Sequence, residues 1–342
     1  MYTAPGPAQK EGRLQYSVAE RAHRARLRPT VSHALILVAI LGALPASLPA
    51  ATAFVPNEGS ATISVIDTAT DQVTGTLRHG QKPRGIAISP DGSRLYLSDQ
   101  TGSSLVVVDV ARDADVATIA LGESPEAIYL SPDGRHLSAA IERNDTVIIV
   151  DVERLRVERR IRTPGKNPEH AVWSPDGRWI YVSAEDADQV DIIDVAKHRV
   201  VKSVKVGQRP RGIGFLPDGS RAYVAVEGAE TVCVLDTRRQ EVIARIKVGL
   251  RSNGVTVHPD GKRVFVTSGG NGTVQVLDVA GNAVIREIPV GQRPWNMALT
   301  PDGRKLYVAA GRSNAVAVID TETYAKVADI PVGALPWGVA IH

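Results

Sequence analysis

The tripeptide Pro-Asp-Gly begins at Pro90, Pro132, Pro175, Pro217, Pro259 and Pro301, at spacings of 42, 43, 42, 42 and 42 residues. A second marker keeps the same beat: an Asp closes a hydrophobic run at Asp67, Asp109, Asp151, Asp194, Asp236, Asp278 and Asp320. Every Pro-to-Asp interval is 19, so the single extra residue lies between Asp151 and Pro175. A fixed period of this length restricts the chain to an architecture in which each unit buries its faces against copies of itself. The 342 residues, long for one average domain, are ordinary for seven such units.

Each unit reads as four short strands. In Ile86 to Leu121, "IAIS" is strand A, "PDG" a tight turn, "RLYLS" strand B, "LVVVD" strand C and "VATIAL" strand D. Pro presets φ for the turn and Gly accepts its left-handed end, while Asp109 can cap the next turn through its side chain. Strands of four to six residues, regular turn signals and no helical period predict an all-β fold. A four-stranded sheet with two apolar faces cannot bury both alone, and stacking such sheets around an axis buries both. The prediction is a seven-bladed β-propeller of four antiparallel strands per blade. The chain from Phe54 opens on a strand B ("FVPN") and stops on a strand A ("WGVAIH", Trp337 to His342). Joining them completes the seventh sheet, one strand from the C-terminus and three from the N-terminal side.

"FVPNEGSATISVIDTATDQV", "LYVAAGRSNAVAVIDTETYAKV" and the copies of "VGQRPRGI…SPDG…LYV" resemble the YVTN-type propeller repeat of exported bacterial and archaeal proteins over essentially all of 54–342. The strand-B start and "PWGVAI" ending are similar to the subgroup associated with PQQ-dependent alcohol catabolism. That resemblance implies a periplasmic accessory role near a redox enzyme.

Residues 1–53 differ in character. A basic cluster (Arg21, Arg24, Arg26, Arg28), the apolar run Ala34 to Leu44 and a stretch rich in small residues form the order of a secretory signal. Cleavage is expected after Ala53, with an uncleaved anchor as the alternative, and the protein is expected to be periplasmic or secreted. This leader carries six Lys/Arg and two Glu of the chain's 40 and 37, so the remainder holds 34 basic and 35 acidic residues, a net of −1. No basic field points to nucleic acid, and the only membrane contact expected is through the signal before cleavage. The single cysteine, Cys233, sits mid-strand and reads as a buried small residue.

Where the copies agree they serve the fold; a site should lie where they differ. Strand direction puts the D-to-A crossings and the B–C loops at one mouth of the channel and the Pro-Asp-Gly turns at the other. The residue six before each Pro of the turn, read around the ring, is Arg84, Glu126, Glu169, Arg211, Asn253, Trp295 and Trp337. The next position is Gly85, Ala127, His170, Gly212, Gly254, Asn296 and Gly338. His170 stands where small residues are needed, just after the extra residue, which is expected as a bulge within Thr163 to Asn167. His170 could ligate a metal with Glu169 and Glu126, or fill the mouth and bond a neighbouring group; alternating side chains on one strand weaken the metal reading. Lys82, Arg209, Arg251 and Arg293 face Glu58, Glu142, Glu185 and Glu227, either as a self-neutralising collar or with Arg84 and Arg211 recognising an anion. An exposed Trp pair would offer a stacking face. His258 and His342 read as surface residues of the far mouth, and "GGNG" (Gly269 to Gly272) as a plain loop.

No H-E-x-x-H, C-x-x-C, G-x-S-x-G, EF-hand or C-x-x-C-H motif occurs, and no cofactor is implied. The expected function is a binding or accessory propeller that presents one mouth to a small polar or anionic ligand or a protein partner, through Arg84, Glu126, Glu169, His170, Arg211, Asn253, Trp295 and Trp337. The alternative is a metal-dependent propeller enzyme of lactonase or lyase type.

Overall fold

Each Pro-Asp-Gly folds into a tight turn held by its own side chains. Ser89 Oγ donates to Asp91 Oδ1 (2.5 Å), Gly92 N–H donates back to Ser89 O (2.9 Å), and Gly92 takes φ of 72°, which a Cβ disfavours. The C–D turn is capped as the Asp column predicts: the Arg112, Lys197 and Thr323 amides donate to Asp109, Asp194 and Asp320 at 2.8–3.0 Å. Between these turns the short runs pair as strands. A computed structural model describes residues 51–342, and they form seven four-stranded antiparallel sheets. Residues 1–50, all but the last three of the expected leader 1–53, lie outside the described residues, and with them the basic cluster and apolar run of the proposed signal.

Blades 1 to 6 begin with the inner strands Pro83–Ile88, Pro125–Leu130, Pro168–Trp173, Pro210–Phe215, Ser252–Val257 and Pro294–Leu299. Blade 7 is the expected composite: Ala340–Ile341 pairs with Thr52–Asn57, which is followed by Thr62–Asp67 and Gln72–Leu77. Phe54 faces Ala340, Ala53 faces Ile341, and Trp337 N–H donates to Pro56 O (3.0 Å). This strand starts at Thr52, whose N–H donates to His342 O (2.6 Å), two residues before the Phe54 boundary read from the repeat.

The core lies between sheets. The once-per-blade aromatics Phe54, Tyr96, Tyr181, Tyr223, Phe265 and Tyr307 are all buried there. At the exception, Ser138 Oγ donates to Ala171 O of the next blade (2.5 Å). Cys233 is fully buried. His258 differs from its surface reading. It is buried, with Nε2 3.1 Å from Gly303 O and Nδ1 3.0 Å from Asp260 Oδ1, so it ties two blades at the far mouth. His342 is exposed.

The extra residue of blade 3 is a loop residue. Arg162 faces Thr146 as Ala120 faces Ser104, so strand D is in step. Pro168 faces Ala184 as Pro125 faces Ile141, so strand A has resumed step. The insertion therefore falls in Thr163–Asn167, as expected. It is not a strand bulge, because the register irregularity at the start of strand A recurs in the other blades.

Candidate functional site

The close approach of inner strands explains the small-residue column. A Cβ on Gly85 would lie 2.6 Å from Glu126 O, and one on Gly212 would lie 2.5 Å from Asn253 O. In blade 1 Ser98 Oγ accepts from Gly85 N–H (2.8 Å) and donates to Glu126 O of the next blade (2.7 Å); Thr267 makes the same bridge from Gly254 to Trp295 O. In blade 3 Ser183 Oγ still accepts from His170 N–H (3.1 Å), so the His170 backbone sits where the glycines sit. Among the described residues, however, no bond runs on from Ser183 to blade 4.

All eight residues singled out by column comparison line one cavity of about 380 Å³ at the predicted mouth: Arg84, Glu126, Glu169, His170, Arg211, Asn253, Trp295 and Trp337. Its floor is aromatic. His170, 1% exposed, hydrogen-bonds through Nδ1 to the Tyr129 hydroxyl (2.5 Å) and stacks on Trp337, with ring centroids 6.3 Å apart and planes at 19°. Blades 3 and 7 are not neighbours, so Trp337 reaches across the channel mouth. It is only 8% exposed, with the Arg84 guanidinium 5.7 Å from its ring centre. The expected exposed pair of tryptophans is thus resolved differently. Trp337 is covered from within, and half-buried Trp295 lies over Gly311, where any Cβ would collide with its ring. Burial pushes the His170 imidazole down to about 4, against the opposing pull of Glu169.

The wall is a paired charge network. Arg84 donates through Nε to Glu58 (2.8 Å) and pairs through Nη1 with Glu126, which also accepts from Gln100 Nε2 (2.8 Å). Arg211 Nη1 lies 2.5 Å from Glu169 and 3.0 Å from Glu185, and its Nε donates to Glu227 (2.8 Å). Arg209 pairs with Glu185, and Arg293 Nη2 with Glu227 (3.2 Å). The collar reading therefore describes the mouth: Arg84 and Arg211 are already matched to carboxylates of the chain. Carboxyls outnumber guanidiniums, and two are pushed toward the protonated form. Burial, reinforced by Glu169, pushes Glu126 up to about 8 despite Arg84. Burial and a hydrogen bond from its own acid proton to Glu169 push Glu185 up to about 8. Burial alone would raise Glu169, but Arg211 and that hydrogen bond outweigh it and hold Glu169 below the ordinary range.

The metal reading does not fit this donor set. Glu126, Glu169 and His170 are each committed, to Arg84 and Gln100, to Arg211, and to Tyr129. Among the described residues no three His, Cys, Asp or Glu side chains converge on one point. Sequence comparison missed Tyr129 and Gln100. Tyr129 is an outlier two columns beyond His170, where other blades carry Ala87, Val172, Gly214 and Thr256; Gln100 replaces the collar Glu of blade 1.

A closed ring of seven four-stranded blades with a polar cavity at one mouth defines a seven-bladed β-propeller with one built site. Residues 113–200 and 196–326 match the family model of the seven-bladed β-propeller lactonases, and the chain belongs to that family. A Mycobacterium tuberculosis PE-PGRS family protein, PE_PGRS18, is 48% identical over 42 residues; the match covers 12% of this chain and only 9% of that relative's length. Among solved structures, Kuenenia stuttgartiensis hydrazine synthase is similar at 25% identity and a TM-score of 0.73, over 79% of this chain and 92% of that one. A Bacteroides uniformis protein assigned as a 6-phosphogluconolactonase is similar in fold at 18% identity and a TM-score of 0.73, over 86% and 100%.

Proposed function

We propose that this is an exported binding or accessory propeller whose mouth cavity takes a small polar ligand, presented by or shared with a protein partner. The observation that supports it is the state of the cavity wall. Its guanidiniums are matched to carboxyls of the chain, and half-buried Trp295 lines the space as a stacking face. A wall of that kind offers spare lone pairs and N–H groups to hydroxyls, and an aromatic face to an apolar one. The leader-like N-terminus and the resemblance to the PQQ-associated subgroup favour the periplasm and a redox partner.

A second reading, lactone hydrolysis, is favoured by family membership and by two carboxyls near pH 8, Glu126 and Glu185, where a general base for water is useful. The tests separate the two. Binding predicts ligand-dependent quenching of tryptophan fluorescence that Trp295→Ala abolishes, with no turnover of a lactone panel. Hydrolysis predicts turnover lost in Glu126→Gln or Glu185→Gln. Stoichiometric metal that disappears in His170→Ala would instead support the metal-dependent form.

A further inference from the structure

The collar is broken on one side. The position that carries Glu58, Glu142, Glu185 and Glu227 in four blades, and Gln100 in blade 1, is Gly269 in blade 5 and Gly311 in blade 6. The rim cations continue there, as Arg251 and Arg293, and blade 6 adds Arg312. Among the described residues neither Arg251 nor Arg312 has a carboxylate within 4.0 Å. Arg293 gives Nη2 to Glu227, but its Nη1 is buried without an acceptor. That nitrogen lies against Gly269, whose absent Cβ would stand 2.8 Å from it. These three arginines line a groove of about 570 Å³ with Gln292, Asn271 and the glycine loop, and no carboxylate lines it.

The geometry points to an oxyanion site in this groove, taking the carboxylate or phosphate group of a small molecule. It goes beyond the mouth cavity and shares only Arg293 with it. The loop amides of Gly269, Gly270, Asn271 and Gly272 are already spent on backbone carbonyls, so recognition falls to the guanidiniums, whose forked donors match an oxyanion. In blades 7, 3 and 4 an internal carboxylate, Glu58, Glu185 or Glu227, fills that role. Here the place is left open, and an unpartnered buried N–H is the group that a ligand oxygen satisfies. Attraction carried by exposed charges also makes the site salt-sensitive.

Calorimetric titration of the full chain with inorganic phosphate, citrate and an oligo-glutamate peptide tests this. One-to-one binding of phosphate or citrate is expected, the tighter of the two naming the source. The Arg251→Gln/Arg312→Gln variant should weaken it roughly tenfold or more. Gly269→Glu, which restores the collar carboxylate, should do the same through competition for Arg293. Arg154→Gln, a remote exposed arginine, should bind as the parent does. The idea is overturned by no binding of either small anion, by binding that both variants leave unchanged, or by binding of the peptide alone.

Discussion

Trp337 reaches across the channel mouth from the closing blade and lies near-parallel to His170 of blade 3, planes 19° and ring centroids 6.3 Å apart, while His170 in turn holds the Tyr129 hydroxyl at 2.5 Å. Three blades are joined through one imidazole. Trp337→Ala removes a buried indole and is expected to cost about 3–5 kcal/mol. His170→Ala orphans the buried Tyr129 hydroxyl and is expected to cost about 1–3 kcal/mol. Because the two rings are stacked neighbours, the double variant should fall short of additivity by about 0.5–1.5 kcal/mol. Urea unfolding of the four proteins measures this; strict additivity would show that the stack contributes nothing.

Acid should act through the same imidazole. His170 is held at about 4 against 6.5 unfolded. Its contribution is therefore complete above pH 6.5 and lost as pH falls toward 4, by roughly 3 kcal/mol in all. His170→Gln should flatten the stability profile across that window while leaving the rest of the curve alone. An unchanged slope between those limits would contradict the burial argument.

Glu126 has the opposite sign. A carboxyl held at about 8 stabilises the fold fully below its unfolded value near 4.5, and that stability is lost as pH rises through 8. Glu126→Gln mimics the protonated side chain. It should match the parent at pH 5 and exceed it at pH 9. Parallel thermal melts at the two values decide the point, and a variant less stable at pH 9 would mean that Glu126 is ionised in the fold.

Ring closure depends on a short tail. Deleting Trp337–His342 removes the inner strand of blade 7, with its pairing to Phe54 and Ala53 and the bond to Pro56 O. It also bares the apolar face of a three-stranded remnant. A loss of at least about 5 kcal/mol is expected, with broadening of the calorimetric transition as cooperativity around the ring fails. A truncated chain that melts like the parent would place the closure elsewhere.

Burial raises the Cys233 thiol to about 11, and the residue is fully enclosed. A thiol reagent should label it only at the rate of unfolding, faster with added urea. Stoichiometric labelling in native buffer, without acceleration by urea, would contradict that enclosure.

Much of this site was legible in one dimension. Arg84, Glu126, Glu169, Arg211, Asn253, Trp295 and Trp337 share one offset from a turn, and strands of fixed length bring equal offsets to equal height at the axis. His170 stood out because six copies held a Gly, Ala or Asn in its place. Tyr129 and the paired glycines Gly269 and Gly311 were equally present as outliers in their columns. Their meaning required partners that come from other blades.

By itself, then, the chain's period determined seven blades, their closure by strand exchange between the two ends, and the mouth at which dissimilar side chains gather. These follow from local pairing and alternation, which act within one unit and repeat. Tertiary structure alone decided that Trp337 is buried beside His170 rather than exposed, that Arg84 and Arg211 are already paired with carboxyls of the chain, and that Arg251 and Arg312 lack a carboxylate while Arg293 keeps a buried Nη1 unpaired. Those outcomes depend on distances of a few ångströms between side chains of different blades, where one missing Cβ changes which charges meet.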